Sequence, residues 1–139
     1  MRVIVTGERD WDDVKAVCDA LDQEYRRWML SQCGEFTVVH GACFPEKAAS
    51  TGRRPPVSVD WIADVWARDR GLEPESHPAD WSAHGASAGP RRNRAMAARG
   101  ASVCLAFWSG KIERSGTLNA MSECAKRGIP IRVTTKATR

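Results

Sequence analysis

No run of about 18 apolar residues occurs anywhere in the chain, which excludes an ordinary membrane-spanning helix. The apolar stretch at the N-terminus, "MRVIVTG", is too short for a secretory leader and runs directly into charges, so secretion is not expected. No Cys-x-x-Cys pair is present among the five cysteines. An odd count without a leader argues against a disulfide framework and for free thiols in a reducing cytoplasm. Cys18, Cys104 and Cys124 fall on apolar positions and read as core. Internal repeats and low-complexity tails are also missing. There is no Gly-x-Gly-x-x-Gly dinucleotide fingerprint and no Walker A sequence. The net charge of +4 is not concentrated into a dense basic stripe, so nucleic-acid binding is allowed but not favoured.

What is present is one domain's worth of ordinary globular sequence. The 139 residues, 42% hydrophobic and 27% charged, suffice for a single domain over 1–139 with a real core. "RVIVT" (2–6) reads as a buried strand ending at Gly7. A helix follows from Asp12, with Val14, Val17, Cys18, Leu21, Tyr25 and Trp28 at spacings of three and four, closed near Gly34. "FTVVH" (36–40) is a second strand, ending at Gly41. Residues 43–57 are rich in Gly, Pro and charge, with no periodic apolar set; they read as an inserted mobile loop in which Arg53 and Arg54 could close over a ligand. Ser58 caps a helix carrying Val59, Ile62, Ala63 and Trp66, closed by Gly71. "EPESHPADW" is a connector or poor edge strand. Pro90 opens a helix that ends at Gly100. "SVCLAFW" (102–108) is a buried strand, 116–128 is a helix with Leu118, Met121 and Cys124 inward, and 129–134 is the last strand.

Strands alternating with helices predict an α/β sandwich with a mostly parallel sheet and helices on both faces. Ligands in such sheets bind beyond the C-terminal strand ends. The glycine-bearing segments fall there: "TGERDW" (6–11), "HGA" (40–42) and "WSGKIERSGT" (108–117), with "AGPRRNRAM" (88–96) opening a helix of the same kind. Gly7 would let the backbone approach a phosphate and Arg9 would pair with it; alternatively the segment is a tight turn with Trp11 plugging the sheet edge. Gly116 and Thr117 open a helix whose N–H groups and hydroxyl suit a phosphate oxygen, although a capping serine or threonine explains "SGT" equally well. Arg91 and Arg92 point about 100° apart on a helix, so both do not serve one ligand. Asn93 can cap or read a base edge. His40, Cys43, His77 and His84 match no standard zinc spacing, and no metal is expected.

In this order, "VTGERDW", "VVHGA", "PADW", "GPRRNRAM" and "SGT" resemble the YspA-like (YpsA-related) branch of the SLOG superfamily. That superfamily groups Rossmann-like domains related to cytokinin-activating phosphoribohydrolases, the "lysine decarboxylase-like" proteins, and to DprA. The resemblance runs from Arg2 to about Val133. It implies a nucleotide or nucleotide-derived ligand, no further cofactor, and a site of Gly7, Arg9, Gly41, Asp60, Gly89, Arg92, Asn93, Gly116 and Thr117. Arg92 and Asn93 would face the cleft, while Arg91 and Arg94 would be solvated. Two departures stand out. The 43–57 insertion replaces a Gly-Ala-Asp helix start by "VSVD", leaving Asp60 in the aspartate position. Hydrolase relatives resemble Gly-Gly-x-Gly-Thr-x-x-Glu, whereas here the doubled glycine is absent and Ala120 stands where the glutamate would be. The expectation is therefore a binding protein, a sensor or sequestering domain, that pairs as a homodimer through helices including the Trp28 and Met29 region. The alternatives are an N-glycosidic hydrolase using Asp60 or Glu113, with Asp60 the catalytic candidate, and a DprA-like DNA-associated module.

Overall fold

The computed structural model describes residues 1–31, 34–44, 58–110 and 115–135. The loop read at 43–57 therefore lies outside the described residues beyond Phe44, as do Arg53, Arg54, Glu113 and Cys33. Five strands, β1 (Arg2–Gly7), β2 (Thr37–His40), β3 (Glu75–Ser76), β4 (Val103–Phe107) and β5 (Ile131–Thr134), alternate with helices α1 (Val14–Ser31), α2 (Val59–Asp69), α3 (Trp81–His84), α4 (Ala88–Ala98) and α5 (Gly116–Ala125). The strands form one sheet in the order β3-β2-β1-β4-β5, and every pairing is parallel. The mostly parallel sheet expected from the alternation is thus wholly parallel. The two-residue β3 is the poor edge strand read in "EPESHPADW".

Burial explains the order. β1 and β4 sit centrally and are apolar almost throughout, as strands covered on both faces must be. Alternation then divides their side chains between two cores. Val3 and Val5 meet α1 and α2 through Val17, Leu21, Ile62 and Trp66, with Trp11 and Phe107 in the same cluster. Ile4 and Cys104 meet α4 and α5 through Met96, Ala97 and Cys124. The chain runs outward from β1 to β2 and β3 over one face, then returns to β4 on β1's other side. The strand order reverses between β1 and β4, the switch point where α/β sheets of this Rossmann-like kind open a crevice.

Several local expectations change. α4 begins at Ala88 rather than Pro90, because α3 and a 3₁₀ turn at Gly85–Ser87 lead straight into it; Ser87 in the cap position makes no capping hydrogen bond. α5 ends at Ala125, and its buried residues are Thr117, Ala120, Glu123 and Cys124, whereas Leu118 and Met121 are only half-buried. Cys124 is inward as expected, while Thr117 and Ala120 take the buried positions expected of Leu118 and Met121. Cys18 is half-buried at the rim of the first core. Trp28 does not stand free for a partner: it packs against Tyr25 and Phe36 with its Nε1 donating to the Gly34 carbonyl, while Met29 and Leu30 are exposed. Glu24 is buried and anchored by Arg132 of β5 at 2.9 Å, which fastens α1 to the sheet edge.

Candidate functional site

The C-terminal edge of the sheet is built around the turn after β2. His40 ends an otherwise apolar strand and is fully buried. Its Nδ1 accepts the Ala42 N–H at 3.0 Å, which fixes the proton on Nε2, and Nε2 donates to Asp64 Oδ1 at 2.8 Å. That bond bends the chain sharply. Ala42 takes φ 55°, a left-handed conformation that costs a non-glycine residue roughly 1–2 kcal/mol. The turn is held from the other side by Asp60, whose Oδ2 accepts the Cys43 N–H at 2.9 Å. Ser58 caps α2 through the Trp61 N–H and so places Asp60 in its first turn. Burial pushes the Asp60 carboxyl above the ordinary carboxylate range. The Cys43 N–H, neighbouring His40 and Arg92, and the Gly41 N–H work against that rise without cancelling it.

Arg92 crosses from α4 to this turn. Its Nη1 donates to the Gly41 carbonyl at 2.6 Å and lies 3.6 Å from the Cys43 sulfur, and its Nε donates to Asn93 Oδ1 at 2.7 Å. Glycine at position 41 lets the guanidinium close on the turn: a Cβ there would stand 2.4 Å from Nη1 and 2.8 Å from Cζ of Arg92. Asn93 is buried, and its amide donates to the Gly116 carbonyl at 3.2 Å and to Asn119 Oδ1 at 2.9 Å. All of the Asn93 hydrogen-bonding capacity toward these partners is spent on joining α4 to α5 and fixing the guanidinium plane. It therefore acts in this structure as a strut rather than as a free reader of a base. Arg92 Nη2 has no hydrogen-bond partner among the described residues, so one corner of a pre-oriented guanidinium is left available at the strand ends.

The nine residues singled out from the sequence divide accordingly. Gly41, Asp60, Arg92, Asn93 and Gly116 are linked by direct contacts. Gly89 stands beside them, the position of a Cβ there being 3.9 Å from Arg92 Nη2 and 3.3 Å from the Trp81 ring. Gly7 joins through packing, because a Cβ on it would come within 2.2 Å of Val59 Cγ2; its small size lets α2 sit on the end of β1. Thr117 follows Gly116 and is buried, while the capping oxygen of α5 is Ser115, which accepts the Leu118 N–H at 3.0 Å. Arg9 is not drawn in. It is exposed on the turn after β1 and makes no hydrogen bond or ion pair among the described residues. Arg91 and Arg94 are also exposed, and Arg91 donates to Ser87 Oγ at 3.1 Å. Trp11 is wholly buried, edge-on to Phe107, as core rather than as a stacking surface.

Three participants were not visible beforehand. Glu8 bridges the switch point, accepting from the Ser109 N–H at 2.8 Å and Ser109 Oγ at 2.6 Å, so that the ends of β1 and β4 are tied together. Asp64 orients His40, and Asn119 supports Asn93. A histidine closing the apolar run "TVVH" was the one signal available for the first pair. Glu123, the carboxylate one turn beyond Ala120, is buried between Lys126 and Arg127, 3.4 and 2.8 Å away, at the far end of α5. Among the described residues no group of three His, Cys, Asp or Glu side chains could hold a metal ion, and no helix is long and apolar enough to cross a membrane.

Comparison with known proteins bears on the same residues. The sequence model of the YspA, cpYpsA-related SLOG family matches residues 1–48, which carry β1, α1, β2 and the turn with Gly41. The Gene 61 protein of Mycobacterium phage D29 is 43% identical over 135 residues, spanning 94% of this chain and 93% of that protein. The chain belongs to this SLOG family. The model match covers Gly7, Arg9 and Gly41 and stops before Asp60, Gly89, Arg92, Asn93, Gly116 and Thr117. Membership points to a nucleotide-related function.

Proposed function

We propose that this SLOG domain binds a nucleotide or nucleotide-derived ligand at the C-terminal edge of its sheet, as a sensor or a sequestering protein. The observation that carries the reading is the Arg92 guanidinium, held by the Gly41 carbonyl and Asn93 with Nη2 unengaged at the strand ends. A guanidinium whose orientation is already fixed loses little freedom when an anion arrives, so more of the charge-assisted bond is expressed as affinity. Gly116 leaves the backbone at the start of α5 uncovered by side chains, and that helix start contributes a favourable dipole for negative charge.

Mass spectrometry of ligand retained by the purified protein identifies the class of compound. Calorimetry with that compound, or with a panel of nucleoside phosphates, then tests the site. Arg92→Ala is expected to cost about 1.5–3 kcal/mol of binding, the scale of a hydrogen bond between charged groups, and Arg91→Ala much less. Equal small losses for the two would make the arginines a solvated face and remove the proposal.

A further inference from the structure

The exposed aromatic side chains of the described residues lie on segments that follow the C-terminal ends of β2 and β3. Among the described residues they are Phe44, Trp61 and Trp81, and the other large exposed apolar residues, Val14, Met29, Leu30 and Val133, are aliphatic. Phe44 lies in the turn after β2, Trp61 on the first turn of α2, and Trp81 at the start of α3, all at the C-terminal edge of the sheet. Trp81 is 49% exposed although its position is fixed. Asp80 accepts the Ala83 N–H at 3.1 Å and the Ser82 hydroxyl at 2.8 Å, which locks the turn that carries it. One edge of the indole rests on Gly89. The ring edge and Arg92 Nη2 each lie within 4 Å of the point a Gly89 Cβ would occupy, so they are less than about 8 Å apart. On the other side of the guanidinium, Phe44 follows Cys43, whose sulfur touches Nη1, and its ring leans on His40 at 5.6 Å.

Leaving a tryptophan half in water forgoes burial that the fold could have used. An exposed indole on a fixed turn, beside a guanidinium with only Nη2 unengaged, is satisfied by a ligand with a flat ring and a negative charge at short separation. We propose that Trp81 is the stacking surface for the base of the nucleotide whose phosphate meets Arg92. The inference rests on the nucleotide-binding reading above and adds the residue that recognises the ring. The same ring-plus-phosphate chemistry occurs in a free nucleotide and in single-stranded nucleic acid. The free nucleotide is the occupant the site fits, because a single oriented guanidinium meets one phosphate and the flanking Arg91 and Arg94 turn outward instead of continuing a basic track.

The test is calorimetry on the full chain with the four common ribonucleoside monophosphates, ribose 5-phosphate and a thymidine oligonucleotide, using Trp81→Ala and Trp81→Phe, each checked for native circular dichroism. Trp81→Ala is expected to weaken the best-binding mononucleotide at least about ten-fold, and Trp81→Phe to stay within about three-fold, because phenylalanine keeps a stacking face. Toward ribose 5-phosphate, which has no ring, Trp81→Ala and the unaltered protein should be indistinguishable. Nucleotide binding indifferent to Trp81, or an equal loss for ribose 5-phosphate, overturns the stacking role and leaves the nucleotide reading intact. Tighter, strongly salt-dependent binding of the oligonucleotide overturns it in favour of a strand. Failure of every nucleotide to bind overturns both readings together.

Discussion

The same methyl group added at two glycines should have opposite consequences. Neither Gly7 nor Gly41 has a positive φ, so alanine meets no backbone penalty at either, and reduced freedom of the unfolded chain favours it by about 0.4–1 kcal/mol. At Gly7 the new Cβ would stand 2.2 Å from Val59 Cγ2 and 2.7 Å from Val59 Cβ, and Val59 is a buried, β-branched residue on the first turn of α2. It cannot swing aside, so α2 must shift on the sheet. Overpacking of this kind costs about 1–3 kcal/mol, for a net loss of about 1–2 kcal/mol. A domain of this size should then melt about 3–8 °C lower. At Gly41 the atoms met at 2.4 and 2.8 Å are the guanidinium of Arg92, the far end of a flexible side chain. It can retreat about an ångström, giving up the 2.6 Å bond to the Gly41 carbonyl. The lost bond has a charged donor on a half-buried side chain that water can rehydrate, so it is worth about 1.5 kcal/mol, and the unfolded-state gain offsets about half of it. Gly41→Ala should therefore melt no more than about 4 °C below the unaltered protein and yet bind nucleotide at least about five-fold more weakly, because the anion contact has been displaced. Differential scanning calorimetry and titration calorimetry on the two variants supply both axes. Unchanged nucleotide affinity in Gly41→Ala would refute the assignment of Arg92 as a pre-oriented anion contact, and an unchanged melting temperature in Gly7→Ala would refute the packing argument.

Three further outcomes follow from the carboxylates of α2 and from the start of α5. Burial would raise the Asp64 carboxyl, but hydrogen bonds from Arg68 and His40 outweigh it and hold the group below the usual range; such a group stabilises above its unfolded pKa of about 3.9 and loses that contribution as pH falls through the folded value, so Asp64→Asn should flatten the acid limb of a urea-midpoint curve below about pH 4. Asp60 runs the other way, since its raised folded value makes its contribution greatest below the unfolded pKa and smaller as pH rises through the folded one; the stability gap between the unaltered protein and Asp60→Asn should therefore narrow between pH 4 and pH 8 in the same measurement. Incubation with AMP, ADP-ribose and NAD is expected to release no free base on chromatography, because Ala120 stands where hydrolase relatives resemble a glutamate; turnover abolished by Asp60→Asn would make the hydrolase the leading reading.

The architecture was legible because it rests on periodicity. "VIV" (3–5) and "VCLAFW" (103–108) are unbroken apolar runs, as a doubly covered strand needs, and the spacing from Val17 to Trp28 marks the helix that covers one face. Boundaries were less legible where tertiary contacts outvote local signals. Pro90 is a helix-opening residue by its own chemistry, yet α3 and the 3₁₀ turn supply the preceding turn, so α4 starts at Ala88. In α5 the large residues Leu118 and Met121 mark an inward stripe by their spacing, but Thr117 and Ala120 are buried in their place, because the helix packs on α4 as well as on the sheet and no local pattern shows that second contact.

Within the candidate site, residue type pointed to several positions that the fold brings together, but not to how each one is held. Arg92 and Asn93 were adjacent polar residues on a helix start, equally able to face ligand or water. What distinguishes them is a partner 51 residues away, the Gly41 carbonyl, and another 26 residues away, Asn119. No local pattern encodes such separations. The same is true of glycine: at Gly7 it admits Val59, at Gly41 it admits a guanidinium, and at Gly116 nothing lies within 4 Å of where a Cβ would be. Only the second and third of these leave anything for a ligand, one by orienting a cation and the other by keeping the backbone open. Three glycines that look alike as strand-end or helix-start punctuation therefore have three different surroundings, and under the proposed function the division between stability and recognition falls between Gly7 and the other two.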